Sequence, residues 1–390
     1  FNLGILFFFK YFNFFIDSWI LLLNSIGYNI ESTWTLQVIL PVGISFYTFQ
    51  TMSYSIDIYK GKIIPTRDFF LFSTFVSFFP QLVAGPIERA GNIIPQLSKK
   101  RIFNLEMANQ GLRLILWGMF KKVVIADSLG PLVDNLFNAP DLYSGGTLML
   151  GSIFFATQIY CDFSGYSDIA IGTAKLFGIN LMSNFKFPYF SRDIGEFWRR
   201  WHISLSSWFR DYLYIPLGGS RVGRYKSIRN IFIIFLISGL WHGSNLTFIF
   251  WGLFHATLFL PLFILKQNRR YLTSSTKIFP SIKELLQIVL TFTLTSFGWI
   301  FFRSESINDS FLYINSMFNK LQGEVIYDSY FITYVAPFFL VEWLFLRKDE
   351  INIIFSKNNL IDTLCFGSIF IMVFIHFLEN NYNNFIYFQF

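Results

Sequence analysis

The chain has 390 residues, 53% of them hydrophobic and only 14% charged, with 53 phenylalanines. A soluble domain of this length cannot hide that much apolar surface, so lipid is the expected solvent and the composition excludes a water-soluble globular protein. The net charge of +7 comes from Lys and Arg spread over short loops between apolar runs, which is the pattern of cytoplasmic membrane loops and not of a nucleic-acid-binding surface.

The sequence begins in an apolar run, FNLGILFFFK, with no initiating methionine, and further N-terminal residues are expected upstream. Judged against the roughly 20 residues that a spanning helix needs, apolar segments lie at 1–23, 36–59, 69–90, 111–137, 147–178, 229–241, 245–265, 284–302, 330–346 and 361–378. The fifth is expected to be broken, because Gly165 interrupts it. Neither a 20- to 50-residue repeat nor a long polar linker divides the chain, so residues 1–390 are expected to form a single membrane domain. Cys161 and Cys365 sit in apolar stretches far apart, without CxxC or Cys/His spacing, which indicates neither a disulfide frame nor a zinc site.

The stretch FFLFSTFVSFFPQLVAGPIERAGNIIP, residues 69–95, carries Pro80, Gly85-Pro86 and Pro95, which one continuous helix cannot accommodate. Basic residues flank it on both sides, so a re-entrant segment against a cavity is expected, with a proline-kinked span as the alternative. Lys121 and Lys122 read as snorkelling groups at a helix end. In QIYCDFSGYSDIAIG, residues 158–172, Asp162 and Asp168 stand in apolar surroundings. Asp162 is a candidate to position an imidazole or to pair with Arg199, Arg200 or Arg210, and capping a helix after Gly165 is the plain alternative.

Residues 192–229 are rich in Arg, Lys and aromatic rings, and Trp198, His202, Leu205, Phe209 and Tyr212 or Leu213 fall at helical spacing. They predict an amphipathic helix at the cytoplasmic interface with His202 on its buried face. Asp211 beside Arg210 reads as an interfacial ion pair. From Arg229 to His242 thirteen helical residues span about 20 Å, which puts the imidazole in SGLWHGSN, residues 238–245, well inside the hydrocarbon layer. Ionisable groups at such depth line interior cavities, so His242 is a candidate general base, expected to be neutral and ready to accept a proton, with a helix-packing histidine as the competing reading. Packing is the favoured reading for His255, although it could orient His242, and His376 reads as interfacial. GxxxxGK[ST], GxGxxG, HExxH and GxSxG are all absent, which removes support for nucleotide-driven and serine-hydrolase chemistry.

Five motifs, in this order, carry a family likeness: FFPQLVAGPIERAGNIIPQL, QIYCDFSGYSDIAIGTAKLFGI, NFKFPYFSRDIGEFWRRWHISLSSWFRDYLYIPLGGSR, LISGLWHGSNLTFIFWGLFHA and the closing NNFIYFQF. Together they resemble the membrane-bound O-acyltransferase family, in its bacterial alginate O-acetyltransferase branch. The resemblance implies an all-α polytopic integral membrane protein, a ring of transmembrane helices around a central funnel or tunnel with re-entrant and interfacial helices, in the bacterial inner membrane. It implies that an acetyl group passes from a cytoplasmic thioester, with acetyl-CoA as donor substrate and no bound cofactor, to an extracytoplasmic acceptor, and that an SGNH-type extracytoplasmic acetyltransferase is the partner. By the same resemblance His242 is the catalytic base and His202 a second catalytic residue. Trp241, Asn245, Asp162, Trp198, Arg210 and Pro86 are carried as tunnel or substrate candidates. Members of the family begin with further hydrophobic helices, and the wording YCDFSGYSDIAIG fits acetyl transfer better than D-alanyl transfer. A transporter or flippase without covalent chemistry is the alternative from another class, although the paired symmetry common in transporters is not visible; D-alanyl or peptidoglycan acyl transfer, or transfer to a lipid or small alcohol, are the alternatives within the same chemistry.

Overall fold

The computed structural model describes residues 1–28, 30, 41, 43–83, 85–273, 278–320, 322–325, 331–348, 359–379 and 385, and among them the regular structure is helical with no strand. In chain order come α1 (Asn2–Ser25), with a π-helical turn at Phe7–Tyr11, then α2 (Ile44–Tyr59), α3 (Phe69–Ser77), the single turn α4 (Phe79–Leu82) and α5 (Ala90–Leu97). α6 (Leu105–Met119) runs through a π-helical stretch, Phe120–Ala126, into α7 (Asp127–Asn138), and α8 (Gly145–Leu176) follows. The second half holds α9 (Ile194–Arg200), α10 (Ile203–Phe209), α11 (Arg224–His242), α12 (Leu246–Ile264), α13 (Ile282–Arg303), α14 (Ile307–Asn319), α15 (Ala336–Lys348) and α16 (Asn359–Leu378). Among the described residues four helices are long and apolar enough to cross a membrane: α1, α12, α13 and α16. The closing NNFIYFQF lies outside the described residues apart from Phe385.

Polar side chains start these helices where the sequence supplies them. Asn104 caps α6, Ser144 α8, Asp193 α9, Asn245 α12 and Ser281 α13, each accepting a hydrogen bond from an amide of the first turn. The proline-rich stretch is broken as its sequence predicts. Pro80 has no amide to donate, the chain turns at Phe78 and ends α3 at Ser77, and the carbonyl of Phe75 accepts from the side-chain amides of Gln50 (2.9 Å) and Gln81 (3.0 Å).

The expected break in residues 147–178 is absent: α8 is one uninterrupted helix of 32 residues. Its glycines serve packing instead. Gly165 and Gly172 face Gly118 and Gly111, so that a Cβ on Gly165 would lie 2.7 Å from the carbonyl oxygen of Gly118 and one on Gly111 would lie 2.6 Å from that of Gly172. Small residues let two helix backbones touch, and in lipid that contact is a main source of helix association. α11 and α12 repeat the device, because a Cβ on Gly239 would run into the carbonyl of Phe248 and one on Gly252 into that of Phe235.

Close approach of the α6–α7 rod to α8 also corrects the expectations for Lys121, Lys122 and Asp162. Neither lysine snorkels. Lys121 is buried, 2.5 Å from Asp168 and 3.0 Å from Ser164, and Lys122 bridges Asp127 and Asp162 at 2.7 Å each. Asp162 pairs with Lys122 in mid-helix, so it is not the cap of a helix that begins after Gly165. A charge buried without its partner costs several kcal/mol, so these pairs bind the two rods in one register.

Replacing Gly165 by Leu is expected to push α6 and α8 apart. Overpacking of this kind costs about 1–3 kcal/mol, and a lower melting midpoint in detergent and a smaller monodisperse fraction on size exclusion should report it. Gly4→Leu is the control, because nothing lies within 4 Å of a Cβ there, and its midpoint should not move.

Candidate active site

His242 is the last residue of α11, and the chain leaves it through Gly243 in an extended conformation (φ −162°, ψ 155°). Gly243 leaves room for the ring of Phe248, which any Cβ would overlap. The imidazole is buried among rings from three helices, with centroids 4.9 Å from Trp241, 5.2 Å from Trp251 of α12 and 5.3 Å from Phe302 of α13, all edge to face.

His202 arrives differently from the expectation. The predicted single amphipathic helix is two helices, α9 and α10, separated by Trp201 in extended backbone and His202 in the left-handed region at φ 43°. A residue with a Cβ is strained there by about 1–3 kcal/mol, and such outliers gather at functional sites. The segment 184–186 holds the break open: the amide of Lys186 donates to the carbonyl of Arg200, and the amide of Ile203 donates to the carbonyl of Asn184. Ser204 completes the frame, donating to the side-chain oxygen of Asn184 at 2.6 Å and accepting from the amide of Ile87 at 3.0 Å. The Gly85–Arg89 loop is thereby docked onto the first turn of α10.

The two imidazoles face each other with centroids 6.4 Å apart. Phe163 of α8 stands edge to face against His202 at 4.7 Å, and Phe46 of α2 and Trp241 close the other sides. Neither ring nitrogen of His202 has a hydrogen-bond partner among the described residues. A cavity of about 210 Å³ reaches both histidines. Its wall carries Trp198, His202, Leu205 and Phe209, so the predicted stripe up to Phe209 survives the helix break as a cavity lining, and Ser238 and His242 also line it. Arg210, Tyr214 and Asn268 line the same cavity, and Arg210 is largely exposed, paired with Asp211 at 2.8 Å as predicted.

Of the candidates, then, His242, His202, Trp198 and Arg210 share one cavity. Trp241 backs the site by packing on Phe46 and Phe49 without lining that cavity. Asn245 caps α12 and donates to the carbonyl of Glu305 at 2.6 Å, which makes it a brace of the turn after His242. Pro86 is buried in the docked loop, and Asp162 lies in the ion-pair network of α8, both off the cavity lining. His255 packs on Trp251 at 5.0 Å, and the same ring packs on His242 at 5.2 Å. His376 bonds to the carbonyl of Met372 on its own helix. A second cavity, of about 380 Å³, is lined by Lys121, Asp168, Tyr160 and Glu342, with the phenol of Tyr160 donating to the Glu342 carboxylate at 2.8 Å. Asp168 of the 158–172 motif and its partner Lys121 thus line a different chamber from the imidazoles.

Sequence reasoning passed over Lys10 and Tyr11. The ammonium of Lys10 donates to the carbonyl oxygens of Trp241 (2.8 Å) and His242 (3.2 Å), and the phenol of Tyr11 donates to that of Leu240 (2.9 Å). A lysine inside the run FFFKYFNFF was the available signal, since a charge in lipid needs a specific partner.

With this geometry in place, comparison with known proteins is informative. The model of the MBOAT, membrane-bound O-acyltransferase, family matches residues 64–302, which include both histidines. A probable alginate O-acetylase of Pseudomonas putida is 41% identical over 318 residues, 82% of this chain and 63% of the relative. A peptidoglycan O-acetyltransferase of Helicobacter pylori is 37% identical over 342 residues, 81% of this chain and 63% of the relative. A teichoic acid D-alanyltransferase of Bacillus subtilis is 29% identical over 278 residues, 68% of this chain and 69% of the relative. The chain spans somewhat less than two thirds of the length of the first two.

Proposed function

Because the chain belongs to the membrane-bound O-acyltransferase family, we propose that it carries an acetyl group from a cytoplasmic thioester, acetyl-CoA, to a hydroxyl on the far side of the bacterial cytoplasmic membrane, for O-acetylation of a cell-surface polysaccharide. The observation that carries this reading is the cavity whose lining brings both imidazoles together with Arg210, Tyr214 and Asn268. Its apolar wall suits the arm of the donor, and the guanidinium of Arg210 suits a phosphate at the mouth. The higher identity to the alginate and peptidoglycan relatives than to the D-alanyl relative supports acetyl as the group moved.

In this reading the acceptor hydroxyl gives its proton to His242 as its oxygen attacks the acetyl carbonyl carbon. The C–S bond then breaks, the electron pair leaves on sulfur, and the thiolate takes a proton, so the products are an ester and a free thiol. A base positioned this way contributes about 10²–10⁴-fold to the rate. His202, 6.4 Å away, would donate an N–H to the carbonyl oxygen as negative charge develops on it, an electrostatic contribution that grows in a pocket sealed by aromatic rings. An SGNH-type extracytoplasmic acetyltransferase would receive the group and pass it to the polymer.

His242→Ala is expected to lower acetyl transfer in proteoliposomes by at least about 100-fold while acetyl-CoA still binds. Transfer at the wild-type rate would remove the base from this scheme. Ser238, one turn before His242 on the cavity wall, gives a separate check. Ser238→Trp fills the passage, and the apparent KM for acetyl-CoA should rise about tenfold, a loss of roughly 1.4 kcal/mol of binding, with the melting midpoint nearly unchanged.

A further inference from the structure

The ends of helices buried in apolar surroundings present a difficulty that α11 meets in an unusual way. The last carbonyls of any helix have no partner within it, and where water is excluded an unsatisfied carbonyl is costly. Here they fall on Leu240, Trp241 and His242. The phenol of Tyr11 takes the first, and the ammonium of Lys10 takes the second and third, at 2.8 and 3.2 Å. The π-helical turn Phe7–Tyr11 carries both donors, neighbours in sequence, to the end of α11. A cation at this end also complements the negative pole of the helix dipole, and Lys10 lies 5.9 Å from the ring of Trp241 besides.

We propose that Lys10 is the positioning residue of the catalytic imidazole: by holding the backbone carbonyl of His242 itself, it fixes the direction in which that residue's side chain leaves the helix. The next residue cannot do so, because Gly243 makes only a long bond back into the helix, 3.4 Å from its amide to the carbonyl of Gly239. The ring also packs edge to face against Trp241, Trp251 and Phe302. Without the ammonium the last turn of α11 is free to fray, and a displacement of about 1 Å at a reacting group can cost about 100-fold in rate. Lys10 is not among the residues that line the cavity, so its loss should fall on turnover and not on donor binding. The inference rests on the reading of His242 as the base.

The experiment compares steady-state acetyl transfer by the full chain, with its acceptor partner, for the wild type and for Lys10→Met, Lys10→Arg, Tyr11→Phe and His242→Ala, alongside melting midpoints in detergent. Lys10→Met is expected to lose about 30- to 100-fold in kcat with the KM for acetyl-CoA within about threefold. Lys10→Arg, which can still donate to both carbonyls, should recover most of the rate. Tyr11→Phe, which frees only the Leu240 carbonyl, should keep its kcat even if its midpoint falls. If Lys10→Met does not accumulate folded, Lys10→Gln, a neutral donor on a shorter arm, is read in its place and must show the same loss in kcat against an unmoved KM. Wild-type kcat in the Lys10 variant, or equal loss of kcat in Tyr11→Phe, overturns the positioning role while an inactive His242→Ala leaves the base standing. An active His242→Ala overturns the base instead.

Discussion

Helices that stop inside an apolar protein must have their backbone groups satisfied by protein, and the candidate site is built where two of them stop. α9 ends at Arg200 and α11 at His242. Lipid offers no hydrogen bonds, so each end is completed by another part of the chain: Asn184 and Lys186 take the backbone groups on either side of His202, and Lys10 and Tyr11 take the carbonyls leading to His242. Termination of this kind gives what an unbroken span cannot, side chains that leave the backbone at an interior point and face one another across a cavity.

The scaffold around that point is stiff for reasons that are mostly steric. Glycine pairs set α6 against α8 and α11 against α12 at backbone contact, and Lys121 and Lys122 tie the first rod to α8 through Asp168 and Asp162. Phe163 is carried on the same α8 that bears Asp162, on a face turned to His202. The ion pairs therefore influence the imidazoles only by holding α8 in place. This division separates the charged chamber at Lys121, Asp168 and Glu342 from the largely apolar one at the histidines.

How much of this was legible depended on whether a signal was local. The broken 69–95 stretch followed from its prolines, and the burial of His202 followed from helical spacing, because both are short-range properties of the chain. The helix break at His202 was hidden, since Trp-His-Ile has no turn chemistry of its own and the left-handed conformation is held by Asn184, eighteen residues upstream in a separate loop. Gly165 misled for the complementary reason: a glycine that breaks a helix and one that lets a second helix touch it look the same until the partner, Gly118, is known. Lys10 could have been flagged as a costly charge, but its partners are backbone carbonyls, which carry no sequence signature at all.

The fate of Asp162 bears on the chemistry most directly. Histidine bases commonly depend on a carboxylate to fix the ring's tautomer and orientation, and the sequence offered Asp162 for that duty. Bound to Lys122, it leaves His242 among Trp241, Trp251 and Phe302. A ring held by aromatic edges keeps its orientation through shape, so the site should tolerate loss of distant charges better than changes in the volume of its aromatic neighbours. In the proposed reaction an aromatic cage and a helix end clamped by the ammonium of Lys10 would together position the base through packing and backbone contacts.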